Sequence, residues 1–223
     1  MPHARLSAAL LFTLFCFLFA AGCERPETAP PAGGSETPPI YAGTIIAAGD
    51  SLTAGLGVAP EDAWPALLEK KLAATGRNWR VINAGISGET SSGLLARSKW
   101  LLSRKPEMII VATGSNDGLR GMPPELIREN ISRTVRLLRD GGATVILAGM
   151  QIVQNLGPEY TREFAAIYPA VAEEENCLLI PFLLEGVAGE PALNQEDTIH
   201  PNEEGHRLIA ETVYPYVLQE IDR

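Results

Sequence analysis

Cysteine is scarce in this 223-residue chain: Cys16, Cys23 and Cys177 are all it has. There is no Cys-x-x-Cys pair and no histidine-rich run, so no metal site is expected. Cys177 adjoins Leu178-Leu179-Ile180 and reads as a core thiol rather than a nucleophile. Clusters of lysine and arginine are missing too. Eighteen basic residues stand against 27 acidic ones, a formal net charge of −9. That balance argues against a nucleic-acid partner and does not favour steering of anionic substrates. The Gly-x-Ser-x-Gly elbow is absent. Gly55-Leu56-Gly57 lacks the third glycine of a dinucleotide fingerprint, so no nucleotide or other cofactor is expected. No internal repeat is visible, and nothing calls for a second folded domain.

The first 40 residues do not read as fold. Leu6 to Ala20 is an apolar run broken only by Ser7 and Thr13. It is short for a membrane span and suits the hydrophobic region of a signal peptide. It ends in Ala20-Ala21-Gly22-Cys23, which resembles a bacterial lipoprotein cleavage box apart from Ala20, where leucine is usual. On this reading residues 1–22 are a signal peptide and Cys23 is lipidated. If Cys16 leaves with the signal, Cys177 is the last free thiol and no intramolecular disulfide can form. Residues 23–40 hold Pro26, Pro30, Pro31, Pro38 and Pro39 with Gly33 and Gly34, a tether reaching about 50 Å if extended. The expected location is the bacterial cell envelope, held to a membrane through Cys23. Without lipidation the chain would be secreted or periplasmic.

Residues 41–223 read as one domain in which apolar strands alternate with helices. Thr44–Ala48, Trp79–Gly85 with its turn, Glu107–Gly114, Ala143–Gly149 and Cys177–Ile180 are the expected strands. Helices are expected over Asp62–Leu72 with Asp62 as cap, Thr90–Ser103, Pro124–Arg139, Tyr160–Glu175 and Asn202–Leu218. Pro169 should break or kink the fourth of these. Continuous apolar strands between helices indicate a parallel sheet covered on both faces. Five of them suggest a flavodoxin-like three-layer α/β/α sandwich.

Parallel strands share their carboxyl ends, so the turns after them gather on one edge of the sheet, where ligands bind. Gly49-Asp50-Ser51-Leu52 follows the first strand, Asn83-Ala84-Gly85-Ile86-Ser87-Gly88-Glu89-Thr90 the second, and Gly114-Ser115-Asn116-Asp117-Gly118 the third. Asp197-Thr198-Ile199-His200-Pro201-Asn202 comes after the fifth. Together they hold what acyl transfer needs. Ser51 can attack a carbonyl, and His200 can take its proton and return it to the leaving group. Asp197 can hold the imidazole in the right tautomer. The amides of Ser51 and Gly85 and the side chain of Asn116 can receive the oxyanion.

These four stretches, spread across most of residues 45–216, resemble the blocks of the SGNH (GDSL) hydrolases. The likeness is strongest to the bacterial thioesterase, lysophospholipase and arylesterase group. The resemblance implies the three-layer fold, Ser51 as nucleophile, Gly85 and Asn116 as oxyanion donors, and Asp197 with His200 completing the triad. It implies a serine esterase acting on small carboxylic esters or thioesters of the arylester, lysophospholipid or acyl-CoA type. The amino-terminal cysteine and tether are not part of that pattern.

Leu119, Met122 and Leu156 fall in loops near the expected site and are read as an apolar lip for an acyl chain. Ordinary loop packing would equally place them there. His206, Asp50 and Asp117 are read as structural. The run Glu173-Glu174-Glu175 reads as a solvated helix end, and Trp64, Trp79 and Trp100 as packing residues. Two rival functions remain on this sequence: a carbohydrate O-deacetylase on the same fold, and a catalytically silent envelope lipoprotein that binds lipid or glycan.

Overall fold

In the computed structural model, residues 40–152 and 156–223 are described. The segments expected to be a signal peptide and a tether, with Cys23, lie outside the described residues, up to residue 39. Five strands form one parallel sheet: β1 (Gly43–Gly49), β2 (Trp79–Gly85), β3 (Met108–Ala112), β4 (Thr144–Ala148) and β5 (Leu178–Ile180). Their spatial order is β2-β1-β3-β4-β5, the flavodoxin-like order. Every residue of β3 is buried, as are Ile45 to Ala48 of β1, which is why these strands read as unbroken apolar runs.

Among the described residues, seven α-helices connect and cover the sheet: α1 (Ser51–Ala54), α2 (Trp64–Ala74), α3 (Ser91–Leu102), α4 (Ser115–Leu119), α5 (Pro124–Asp140), α6 (Pro158–Glu174) and α7 (Glu203–Ile221). The crossover through α2 steps outward from β1 to β2, whereas those through α3, α5 and α6 step the other way. Right-handed crossovers therefore put α2 on one face and α3, α5 and α6 on the other. The closing helix α7 packs beside α2 and completes the third layer.

Several local expectations are corrected. Asp62 does not cap α2. It ends a 3-10 turn (Pro60–Asp62), and the cap position is Ala63, with no side-chain bond. Of the break or kink expected at Pro169, the break does not occur: α6 runs Pro158–Glu174 with Pro169 inside it. Its flanking residues Phe164, Ile167, Tyr168 and Val171 are all buried, so packing outweighs the lost backbone bond. Glu175 is not solvated: its side chain is 5% exposed, accepts from Ser132 Oγ at 2.6 Å and pairs with Arg136. Burial works to raise its pKa, but the Ser132 hydroxyl and the Arg136 guanidinium prevail and hold it below the usual range. Trp100 is 52% exposed and lies under the Arg104 guanidinium, so it is no core residue. Trp64 is fully buried and Trp79 packs on the core, as expected. The Cys177 thiol also packs against the core, and burial pushes it up to about 11.

Candidate active site

β1 ends at Gly49, where a Cβ would overlap the Ala112 carbonyl of β3 and the Thr53 hydroxyl. The chain turns there into α1, whose first residue is Ser51. Asp50 caps the helix, its Oδ1 accepting from the Leu52 amide at 3.0 Å. This is the turn-holding role expected of it. Burial pushes the Asp50 carboxyl up to about 6.

The loop before α7 brings the other groups. His200 Nε2 lies 2.9 Å from Ser51 Oγ, and His200 Nδ1 lies 2.6 Å from Asp197 Oδ2. Asp197 Oδ1 accepts from the amides of Ile199 and His200, both at 3.0 Å. The His200 amide, the imidazole and the Ile199 amide together hold the Asp197 carboxyl down at about 2. Thr198 makes this compact turn possible by adopting φ +61°, a left-handed conformation uncommon for a β-branched residue. Gln195 fastens the loop: its Nε2 donates to the Leu56 carbonyl at 2.7 Å and to the Pro201 carbonyl at 2.9 Å. The acid–base loop and the serine turn are therefore tied directly to each other.

The β2 turn closes in from the other side. Gly85 packs so tightly on α1 that a Cβ would overlap the Ala54 amide. Its close approach is as expected, but its amide is already engaged, donating to Asn83 Oδ1 at 3.0 Å. Among the described residues the Ser51, Ser87 and Gly88 amides donate to no protein group, and Gly88 sits at φ +80°. The missed donor candidate in this turn is thus Gly88, and a glycine standing three residues beyond Gly85 in Gly85-Ile86-Ser87-Gly88 was the available signal. Asn116, in the first turn of α4, donates from Nδ2 to the Glu89 carbonyl at 3.0 Å and lies 3.4 Å from Asp50 Oδ2. Asp117 points away from this group, accepting from the Ser91 amide at 2.8 Å and the Ser91 hydroxyl at 2.7 Å, so it ties α4 to the start of α3.

Of the lip residues, Leu119 and Leu156 are each 42% exposed, while Met122 is half-buried against the core. Leu156 borders Gly121, which brings it to the α4 loop. His206 lies apart from the triad, buried, its Nδ1 accepting from the Trp64 amide at 3.4 Å. Burial holds it as a neutral ring, down at about 4.

An exposed acid, an imidazole and a hydroxyl in one hydrogen-bonded line can run general-base attack on an acyl carbon. Comparison with known proteins shows the family. Residues 47–208 match the family model described as GDSL-like Lipase/Acylhydrolase family. Esterase TesA of Pseudomonas aeruginosa is 43% identical over 173 residues, covering 77% of this chain and 86% of that protein. Thioesterase 1/protease 1/lysophospholipase L1 of Escherichia coli K12 is 37% identical over 171 residues, covering 76% and 81%. The solved structure of the psychrotrophic esterase EstA from Pseudoalteromonas sp., inhibited by monoethylphosphonate, superposes with a TM-score of 0.77 at 34% identity. It covers 81% of this chain and 100% of that one.

Proposed function

The chain belongs to the GDSL-like lipase/acylhydrolase family and is a serine esterase, and from that premise we propose that Ser51, His200 and Asp197 form its catalytic triad. The observation that carries this reading is the unbroken hydrogen-bond line from Ser51 Oγ through His200 to Asp197. His200 Nε2 takes the Ser51 proton as Oγ attacks the acyl carbon. The tetrahedral intermediate collapses, and the leaving alkoxide or thiolate departs with that proton. Water, deprotonated by the same nitrogen, then attacks the acyl-enzyme carbonyl and releases the carboxylic acid and Ser51. Asp197 accepts the Nδ1 hydrogen and steadies the imidazolium. The oxyanion is received by the Ser51 amide and Asn116 Nδ2. A third donor comes from the β2 turn: Gly88, whose amide is free, or Gly85 once Asn83 Oδ1 releases it.

The substrates are esters and thioesters of an acyl chain: aryl esters, lysophospholipids and acyl-CoA. The names of the Pseudomonas and Escherichia relatives support this range, as does the exposed apolar pair Leu119 and Leu156, with Met122 beneath, as a lip for the chain. The run Leu6–Ala20 before Cys23 supports a lipid-anchored envelope enzyme, testable by incorporation of labelled palmitate into wild type but not Cys23→Ala.

The functional test is turnover of p-nitrophenyl esters from acetate to palmitate, acyl-CoA and lysophosphatidylcholine by the purified chain and its Ser51→Ala variant. A fluorophosphonate probe reports the reactive serine alongside. Serine-dependent turnover favouring medium or long chains is expected. Turnover confined to acetate would indicate a deacetylase, and no serine-dependent turnover or labelling a silent binding protein.

A further inference from the structure

We propose that Arg97 is a positioning residue for the oxyanion side of the site, acting through Glu89 on Asn116. This rests on the reading of Asn116 as an oxyanion donor. Arg97 lies on α3, its side chain 15% exposed, and Glu89 ends the β2 turn with its side chain 7% exposed. The two form a fork: Arg97 Nε to Glu89 Oε1 at 2.6 Å and Nη2 to Oε2 at 2.7 Å. The same Nη2 donates to the Ala84 carbonyl at 2.7 Å. Ala84 immediately precedes the turn and Glu89 closes it, so one planar guanidinium grips both ends of the segment carrying Gly85 and Gly88. The Glu89 main-chain carbonyl then accepts from Asn116 Nδ2 at 3.0 Å.

Each link has a physical reason. A buried carboxylate left without its cation is costly, so Glu89 stays where Arg97 holds it. The fork needs arginine, because an ammonium cannot span two carboxylate oxygens and a carbonyl in one plane. Fixing Glu89 fixes its carbonyl, which sets the direction of the Asn116 amide. Arg97 touches no reacting atom. Its effect appears in the step where the oxyanion forms, since donors off by a fraction of an ångström lose much of their stabilisation of that charge.

The experiment compares Arg97→Gln, Arg97→Lys, Glu89→Gln and Asn116→Ala, singly and with Asn116→Ala combined with each of the others. Activity is expressed as kcat per site titrated by a fluorophosphonate, so unfolded molecules do not count. Arg97→Gln is expected to lower kcat roughly 10- to 100-fold with KM within about threefold. Arg97→Lys recovers only part, and neither substitution costs much more in the Asn116→Ala background. If Arg97→Gln does not fold, Glu89→Gln reads the same coupling, because it weakens the fork and keeps the main-chain carbonyl. Full kcat per site in Arg97→Gln or Glu89→Gln, with Asn116→Ala impaired, overturns the inference alone. Losses that multiply with that of Asn116→Ala overturn it as well. An Asn116→Ala variant with undiminished kcat overturns the assignment of Asn116 itself.

Discussion

His200 Nε2 stands 2.9 Å from Ser51 Oγ, although 149 positions separate the two residues in the chain. Five parallel strands bring them together, by ending β1 and the loop after β5 on the same edge. Asp197 completes the line from the same loop as His200, three residues away. Replacing Asp197 with Asn should leave that loop folded but favour the wrong imidazole tautomer. We expect kcat to fall by about 10²- to 10⁴-fold with little change in KM. Steady-state kinetics on p-nitrophenyl butyrate check this, and a loss below about threefold would remove Asp197 from the mechanism.

Leu119 and Leu156 flank the α4 loop with much of their side chains in solvent. If they line the acyl chain, serine at both positions withdraws several methylene contacts. At about 0.8 kcal/mol for each buried methylene, kcat/KM for decanoate or palmitate esters should fall at least tenfold. The acetate ester should be hydrolysed at an almost unchanged rate. Equal losses along the ester series would reduce both leucines to loop packing.

Two buried groups oppose each other in acid. His206 is held near 4 against an ordinary 6.5, so the unfolded chain takes up its proton first. Its stabilising contribution is complete above 6.5 and drains away as pH falls toward 4, about 3 kcal/mol in all. Asp50 is raised from 3.8 to about 6, so there the folded chain takes up its proton first. Its contribution grows as pH falls from 6 to 4, by a similar amount. The wild-type chain should therefore show little net slope from this pair. Asp50→Asn removes one arm, so its urea midpoint should drop much more steeply than the wild type's between pH 6.5 and 4.5. Parallel curves for the two proteins would mean that Asp50 takes up no proton in the folded state.

Glu175 offers a simpler stability test. Its carboxylate accepts from Ser132 Oγ and holds Arg136 across the α5–α6 contact. Glu175→Ala leaves the buried Ser132 hydroxyl without that partner, for a loss of about 1–3 kcal/mol at pH 7. The difference from wild type should shrink as acid protonates the native carboxylate, because the charged form is what the site stabilises. Thermal denaturation at pH 7 and pH 4 measures both halves of the claim.

What could be read from the sequence is what topology and composition decide. Apolar runs marked the strands, and parallel strands oblige their carboxyl-end turns to meet, so Ser51, Asn116 and the Asp197–His200 loop could be brought to one edge before any coordinates. Harder to read were features set by packing across the sheet. Glu175 sits in an acidic run that would suit water, but it is buried opposite Ser132 and Arg136, which lie about 40 positions away. Pro169 carries the usual breaker signal, yet the aromatic and branched neighbours of α6 hold the helix through it. The Gly85 amide goes to Asn83 Oδ1, a bond between residues two apart that depends on how the turn closes on α1. Thr198 is a poor candidate for a left-handed residue by type, and only the two amide bonds to Asp197 reveal why it adopts that shape.

Chain direction makes the domain one-sided toward whatever holds it. β1 enters at Gly43 and delivers Ser51 only past Gly49, about 20 Å further along the strand. A support that grips the chain ahead of Ile40 thus pulls on the edge opposite the serine. The carboxyl edge, with Ser51, His200 and Asp197, is left clear of the point where the chain enters the domain.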